Sequence, residues 1–249
     1  MSSPEPRLPP ELERLILEFA ALSFPKHAVA LLTVAKRFHV WLLPRLWRTL
    51  RQRYRDALPP SWLSKSSEFL AANVRHLSMD SDRPGLVIPN KILPSLQPHR
   101  LAIPLGDVYG SLDHPTLVPL ASQPTFSRLT HFDVFDSDDA RMVPFLAALP
   151  ALTHLAVNEG ETSDIPAILQ DCKRLQVLIQ LVGDFDDAER LQAHMPVRDD
   201  PRLCVCVYVD WDEAVLEGWT FWDDADEFVA AKRAGRISAD KFYASSANR

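Results

Sequence analysis

The sequence contains little glycine. Its 249 residues include 7 Gly against 21 Pro. No Gly-x-Gly-x-x-Gly run, Walker lysine loop or Gly-x-Ser-x-Gly turn is present, and these are the motifs that cradle phosphates or expose a nucleophilic serine. Paired acidic residues such as Asp138-Asp139 and Asp186-Asp187 are more typical of loop surfaces and helix N-caps than of a catalytic cleft. We therefore predict that the chain is not an enzyme and needs no cofactor.

Cysteine is also scarce. Three Cys cannot form a disulfide framework, which favours a reducing compartment. Cys204 and Cys206 lie two apart and could form half of a zinc site, with only Cys172 and His194 as further candidates nearby. Cysteine is also one of the residues most often found in protein cores. We expect core packing here and predict no metal site.

Long apolar runs are missing too. No window approaches 18 uninterrupted apolar residues, and residues 1–20 contain four glutamates and no apolar core of a secretory signal. These features predict a cytoplasmic or nuclear protein that does not engage a membrane.

Charge is unevenly distributed along the chain. Residues 1–56 contain ten Lys/Arg against five Asp/Glu, a balance of +5. Because the net charge of the whole chain is −6, the remaining residues carry −11. Five arginines cluster at the end of the basic segment: Arg45, Arg48, Arg51, Arg53 and Arg55. They could contact phosphate or an acidic partner, but a solvated helix face is the simpler interpretation. The acidic remainder predicts no nucleic-acid binding.

Residues 8–50 form the most strongly patterned stretch. Leu8-Pro9-Pro10-Glu11 is a good helix start, and Leu12, Leu15, Ile16 and Phe19 follow at helical spacing. A second stripe runs from Ala28 to Phe38, with Lys36 and Arg37 near its end. A third short helix is expected after Pro44, and it would include Leu46, Trp47 and Leu50. The pattern predicts a three-helix module with an apolar face to spare.

This stretch resembles an F-box, the module that docks substrate receptors on the Skp-type adaptor of cullin-RING ubiquitin ligases. The resemblance rests on the order and spacing of Leu8, Pro9, Glu11, Leu12, Ile16, Leu31, Val34, Lys36, Arg37, Phe38, Leu46 and Trp47. It differs from the family pattern at Ala35, where Cys is frequent, and in the first linker, and it is nearest to divergent fungal sequences. The resemblance implies that Leu8, Pro9, Glu11, Leu12, Ile16, Val34, Phe38 and Trp47 bind the adaptor. The alternative is a helical cap on the next domain.

A degenerate repeat follows. The template of apolar residues at positions one, four and six recurs with central residues Leu77, Leu101, Phe132, Leu155 and Leu178, at intervals of 24, 31, 23 and 23 residues. A sixth strand is expected over residues 203–209. Helix-like segments separate these strands, which predicts parallel strands with crossovers and units that stack. The array resembles an irregular leucine-rich repeat, although the Asn or Cys of that repeat is absent. The rival is a doubly wound α/β domain, which would bring Gly-rich turns.

One polar position recurs in the repeat. His76, Arg100, His131 and His154 each precede the central apolar residue, so equivalent positions should form a column on the outward strand face. Ser78, Asp133 and Ala156 would extend it. We predict that His76, Arg100, His131, Asp133 and His154 contact an acidic or phosphorylated protein target. The alternative is an ordinary solvated strand face.

The last quarter is rich in aromatic and acidic residues. Trp211, Trp219, Phe221, Trp222 and Phe228 predict an aromatic cap over the last strand, with a peptide-binding groove as the alternative. A helix is expected over residues 223–234, with Gly235 just after its end.

Together these patterns predict an α/β protein: a helical module over 1–56, a leucine-rich-repeat-like solenoid over 57–210, and a cap and tail over 211–249. The resemblance implies a substrate-recognition subunit of a cullin-RING ligase, with an adaptor, a cullin complex and an unknown protein target as partners. A stand-alone interaction or scaffold protein that has lost its adaptor is the alternative. A cryptic enzyme using the acidic loops is a third hypothesis.

Overall fold

The computed structural model describes residues 8–52, 60–79, 93–104, 117–135, 141–158, 164–195, 197, 199–208 and 220–244. Its helices there are α1 Pro10–Ser23, α2 Pro25–Leu31, α3 Lys36–Leu46, α4 Pro60–Leu63, α5 Ser67–Asn73, α6 Met142–Ala148, α7 Ile165–Asp171, α8 Phe185–His194 and α9 Phe221–Arg233. Its strands are β1 Thr49–Gln52, β2 His76–Met79, β3 Arg100–Ile103, β4 His131–Val134, β5 His154–Val157, β6 Val177–Val182 and β7 Leu203–Val207. Short 3-10 turns cover Leu93–Ser95, Val118–Ser122 and Pro124–Phe126.

The seven strands form one sheet in which every pair is parallel and the spatial order follows the chain order. The register matches the sequence repeat: Leu77, Leu101, Phe132, Leu155 and Leu178 lie side by side. A parallel strand must be reached by a crossover, and the short helices and turns between strands provide it. The predicted parallel α/β architecture is therefore confirmed.

A recurring hydrogen-bond pattern sets the start of the strands. Two successive N–H groups donate to one carbonyl at the equivalent place in the preceding unit. Arg75 and His76 donate to Arg48, at 2.8 and 2.9 Å, and Thr130 and His131 donate to His99, both at 3.0 Å. Because the same turn recurs, residues at the strand beginnings line up along one edge of the sheet.

The two faces of the sheet are covered differently. One face packs on the connecting segments and forms the main core, which contains Leu77, Phe132 and Leu155. The other face has a second, smaller core at β5–β7 only, built from Ala156, Ile179, Cys204 and their neighbours. Helix α9 covers this part of the sheet. Both Cys204 and Cys206 are buried in it.

Two expectations for the helical module are wrong. Helix α2 ends at Leu31, and i+3 bonds close a turn before α3 begins at Lys36, so Lys36 and Arg37 begin a helix. Helix α3 then runs through Pro44, and Leu50 lies in strand β1, paired with β2. Strand pairing outweighs the helical spacing of Leu46, Trp47 and Leu50. The sheet therefore begins inside the segment predicted as helical module.

The C-terminal helix is confirmed close to its predicted limits. Asp223 accepts hydrogen bonds from the Thr220 backbone N–H at 2.8 Å and from the Thr220 hydroxyl at 2.7 Å, which caps the start of α9. Gly235, at φ 68°, ends the helix: its N–H donates to Lys232 and that of Arg236 donates to Ala231. This is the bonding of a Schellman motif, in which glycine adopts the left-handed conformation without strain.

In the described part of the chain, no helix is long and apolar enough to span a bilayer.

Candidate functional site

The helical module exposes many large apolar side chains. Ten of the thirteen exposed large apolar side chains in the described chain lie within residues 8–40. They are Leu8, Leu12, Leu15, Ile16, Phe19, Leu22, Phe24, Val29, Val34 and Val40. Scattered exposed apolar residues are normal, but a concentration of them marks an interaction surface. We call these ten residues the apolar surface.

Polar contacts help to hold the helices beneath this surface. Glu18 is buried and accepts hydrogen bonds from Arg14 at 2.7 Å and from Arg45 on α3 at 2.6 Å. Glu13 accepts two bonds from Arg37, at 2.8 and 2.6 Å. The bonds from Arg37 and Arg45 tie α3 to α1, and the Arg14–Glu18 bond lies within α1. Burial disfavours the Glu18 carboxylate, but the two arginines more than offset that effect and lower its pKa.

Most residues predicted to bind the adaptor belong to this surface or border it. Leu8, Pro9, Glu11, Leu12, Ile16 and Val34 are all exposed. Phe38 is half-buried and stacks on Trp41 with ring centroids 6.0 Å apart.

Trp47, which the resemblance also assigns to adaptor binding, does not lie on the apolar surface. It is half-buried, packs on the main core and meets the ring of Phe69 edge-on at 5.5 Å. Trp47 lies two residues before β1 begins at Thr49, and its side chain packs against the main core of the sheet.

The column of polar residues that the repeat predicts is present in the sheet. His76, Arg100, His131 and His154 are register partners on successive strands. The rings of His131 and His154 stack with centroids 4.1 Å apart and planes 5° from parallel.

The expectation that this column is fully open is wrong, because α9 covers its second half. Trp222 meets the His131 ring edge-on at 5.1 Å, and Nε2 of His154 lies 2.9 Å from the Asp226 carboxylate. His154 is buried beneath this helix. Val177 and Ile179, further along the same face, are apolar, so the sheet offers α9 a surface to bury.

Asp133 is not an exposed contact residue either. Its side chain is 1% exposed, and neither carboxylate oxygen has a hydrogen-bond partner in the described structure. Burial raises its pKa to about 8. Asp133 and His154 therefore offer no open surface, while their role in target binding stays a prediction.

A basic cleft lies at the uncovered end of the column. Its volume is about 580 Å³. Four arginines line it (Arg45, Arg48, Arg75 and Arg100). So do three histidines (His76, His99 and His131), together with Pro44, Ala72, Asn73 and Thr130, and no carboxylate is among the described lining residues. We call this the basic cleft.

Burial and neighbouring cations shape the charge of the cleft. Burial, then Arg100 and Arg48, lower the pKa of His76 to about 4. Burial, then His154 and Arg100, lower that of His131 to about 3. Both imidazoles are therefore neutral near pH 7, and the positive charge belongs to the arginines. His76 and His131 therefore do not supply the positive charge that would attract the acidic or phosphorylated target expected from the sequence.

Sequence reasoning misses part of the cleft. It favours a solvated helix face for Arg45 and Arg48, and it does not single out Arg75 or His99. A signal exists, since Arg75-His76 and His99-Arg100 are basic pairs at equivalent places in two units. The two members of each pair sit at the strand start, one before the strand and one within it. Arg53 and Arg55, from the same arginine cluster, lie outside the described residues.

Comparisons with protein-family models, with curated proteins and with solved structures found no match.

Proposed function

We propose that this chain is a substrate-recognition subunit of a cullin-RING ubiquitin ligase, with an F-box-like module that docks on a Skp-type adaptor. The observation that carries the proposal is the apolar surface. Six of the eight residues assigned to adaptor binding by the F-box resemblance are exposed to solvent: Leu8, Pro9, Glu11, Leu12, Ile16 and Val34. Association can bury such side chains, at roughly 25 cal/mol per Å² of apolar surface removed from water.

The parallel sheet supports the other part of the proposal, which is that the chain recognises a protein target. Strands that lie side by side in chain order, joined by short helices, are the arrangement that a leucine-rich-repeat-like array would have. Such an array leaves strand beginnings and one strand face available to a protein target. In this chain the available part is the basic cleft at β1–β4.

The alternative is a stand-alone interaction protein that no longer binds an adaptor. It is favoured by Trp47, a motif residue that packs within the chain itself, against Phe69. The two functions differ in one measurable property, which is direct binding to the adaptor.

A pull-down with purified Skp-type adaptor tests the proposal. The full chain should retain the adaptor, and Leu12→Ala combined with Ile16→Ala should lower the retained amount at least tenfold. Ile16 is 55% exposed, so the substitutions should leave the fold intact. Phe185→Ala is a matched control, since Phe185 is 59% exposed but lies outside the module. No retention by the folded parent chain, or equal retention by the double variant, would overturn the proposal.

A further inference from the structure

The last strand of the sheet has one side of its backbone turned away from its neighbours. β7 is the seventh strand in the sheet, and only β6 among the named strands pairs with it. The Tyr208 N–H donates to the Val182 carbonyl of β6 at 2.8 Å. Because bonding to a parallel neighbour alternates along a strand, the even-numbered residues of β7 bond β6. The backbone groups of Leu203, Val205 and Val207 therefore point outward.

A short C-terminal segment covers the middle of this edge. It consists of Phe242, Tyr243 and Ala244, and we call it the strap. The Val205 N–H donates to the Phe242 carbonyl at 2.6 Å, and the Ala244 N–H donates to the Val205 carbonyl at 2.9 Å. These bonds make a parallel bridge between Val205 and Tyr243. The outward groups of Val207, by contrast, have no hydrogen-bond partner among the described residues.

Buried side chains hold the strap in place. Phe242 is 1% exposed within the main core, and its N–H donates to the Gln192 side chain of α8 at 3.3 Å. The Lys232 ammonium of α9 lies 4.4 Å from the centroid of the Phe242 ring and donates to the Leu203 carbonyl at 3.4 Å. Ala244 is buried in the second core. The strap is therefore anchored in both cores of the sheet.

The sequence of β7 makes an uncovered edge prone to strand pairing. The strand consists of leucine, cysteine and valine alone, without charge or proline. An apolar strand with unpaired backbone groups is a template for another strand, and natural edges are commonly protected by a charge, a proline or a cover. β1, at the opposite edge, contains Arg51. In β7 the protection comes from the strap instead.

A second copy of the chain fits this edge. Across a twofold axis, β7 would meet an identical β7 in antiparallel orientation. With the two Val205 residues opposite each other, each can donate its N–H to the carbonyl of the other. The Val207 N–H, which the strap leaves open, can then donate to the Leu203 carbonyl of the other copy. No charged side chain of β7 is buried in this pairing.

We propose that the strap is an autoinhibitory contact that keeps the chain monomeric, and that its release lets β7 pair with β7 of a second copy. The strap and the second copy compete directly, because both need the outward groups of Val205. Residues 234–241 join α9 to the strap and are exposed except for half-buried Ile237, so the strap can detach while α9 stays in place. The inference does not depend on the proposed function, because the apolar surface lies within residues 8–40.

Sedimentation equilibrium on the full chain tests this inference. The release variant combines Phe242→Asp with Ala244→Asp, which puts two charges where the strap is buried and so expels it. We expect the parent to sediment as a monomer and the release variant to dimerise, with a dissociation constant at least tenfold lower than that of the parent. A folded release variant that dimerises no more tightly than the parent would overturn the inference.

A further substitution assigns the pairing to β7. Val207→Lys places a charge on the edge, which disfavours strand pairing, so in the release variant it should restore the monomer. Val118→Lys is the matched control, because Val118 is 39% exposed and lies between β3 and β4 in the chain. It should leave the dimer unchanged. A dimer that survives Val207→Lys would contradict pairing through this edge.

Amide hydrogen exchange supplies a second measurement. In the parent, the Val205 N–H is protected by the strap, whereas the Val207 N–H has no partner and should exchange faster. In the dimer both should be protected, and exchange at Val207 should slow at least tenfold. If the release variant does not fold, Phe242→Ala removes the same anchor without adding charge and should still strengthen dimerisation several-fold. Exchange at Val207 that stays fast in the dimer, or a folded Phe242→Ala chain that remains as monomeric as the parent, would overturn the inference.

Discussion

The helical module and the sheet use apolar residues in opposite ways. In the sheet, central residues such as Leu101, Phe132 and Leu155 are fully enclosed by the connecting segments and by neighbouring strands. In the module, Leu17, Ala28 and Leu42 are buried, while ten large apolar side chains face outward. Apolar periodicity therefore has two meanings in this chain. In the sheet it marks the core of the fold, and in the module it marks side chains that stay exposed, on which the proposed docking function rests.

The largest effect should come from truncating the sheet core. Leu155 is 0% exposed and lies at the centre of β5. Leu155→Ala removes buried contacts and leaves a cavity, so the free energy of unfolding should fall by about 2–5 kcal/mol. Urea denaturation measures this loss. A midpoint equal to that of the parent would contradict the core assignment of this strand.

The buried carboxyl of Asp133 should produce a smaller effect of the opposite sign. Its pKa is about 8 in the folded chain and near 3.8 in an ordinary environment, so the unfolded chain loses its proton first. The free energy of unfolding should therefore decline as pH rises from 4 to 8. Asp133→Asn removes this decline and should stabilise the fold at pH 7 by roughly 2–4 kcal/mol.

Parallel denaturation curves of parent and variant between pH 4 and pH 8 test the Asp133 prediction. Asp200→Asn is a control, since the guanidinium of Arg202 pairs with that carboxylate at 2.6 Å and its pKa is lowered. Asp200→Asn should cost stability at pH 7. A variant at Asp133 with the same pH dependence as the parent would show that this carboxyl is ionised in the fold.

The next prediction concerns Glu18, because ion pairs help to stabilise the helical module, whereas buried apolar side chains stabilise the sheet. Glu18→Gln removes two charge-assisted bonds whose arginine ends are exposed and screened, so we expect a loss of about 1–2 kcal/mol at pH 7. Because its pKa is lowered in the fold, this contribution is present above the unfolded pKa and lost as pH falls through the folded one. The difference between parent and variant should therefore shrink below about pH 4.5. A constant difference down to pH 3 would contradict a stabilising role for the ion pairs.

The smallest effect on stability should come from the apolar surface. Leu12 is 48% exposed, so Leu12→Ala should change the free energy of unfolding by less than about 0.5 kcal/mol. The loss of unfolding free energy in Leu12→Ala, set beside that in Leu155→Ala, compares the helical module directly with the sheet. A loss near 2 kcal/mol at Leu12 would mean that this residue belongs to a core.

The sequence predicts the sheet better than it predicts the helical module. The recurring apolar template gives both the strands and their register, because each strand has to place its central residue in the same core. In the module, Leu46, Trp47 and Leu50 fit a helix by spacing, yet β1 pairs with β2. That pairing is a tertiary interaction, and local spacing carries no information about it.

The candidate site shows the same division. The column of His76, Arg100, His131 and His154 follows from the repeat, but its partial burial does not. The aromatic pattern predicts a cap over the last strand, and nothing in the spacing of α9 indicates that Trp222 reaches His131 on β4. The basic cleft combines Arg48, Arg75 and His99 from three different units, so only the packed structure brings them together.

Titration calorimetry of the full chain with purified Skp-type adaptor, repeated at several temperatures, tests the central claim most directly. If the apolar surface is a docking surface, binding should be one-to-one, with a negative heat-capacity change that marks apolar burial. Leu12→Ala with Ile16→Ala should weaken binding and reduce that change, and Phe185→Ala should alter neither. No binding by the folded chain, or a heat-capacity change that is unaffected by the double variant, would contradict the claim.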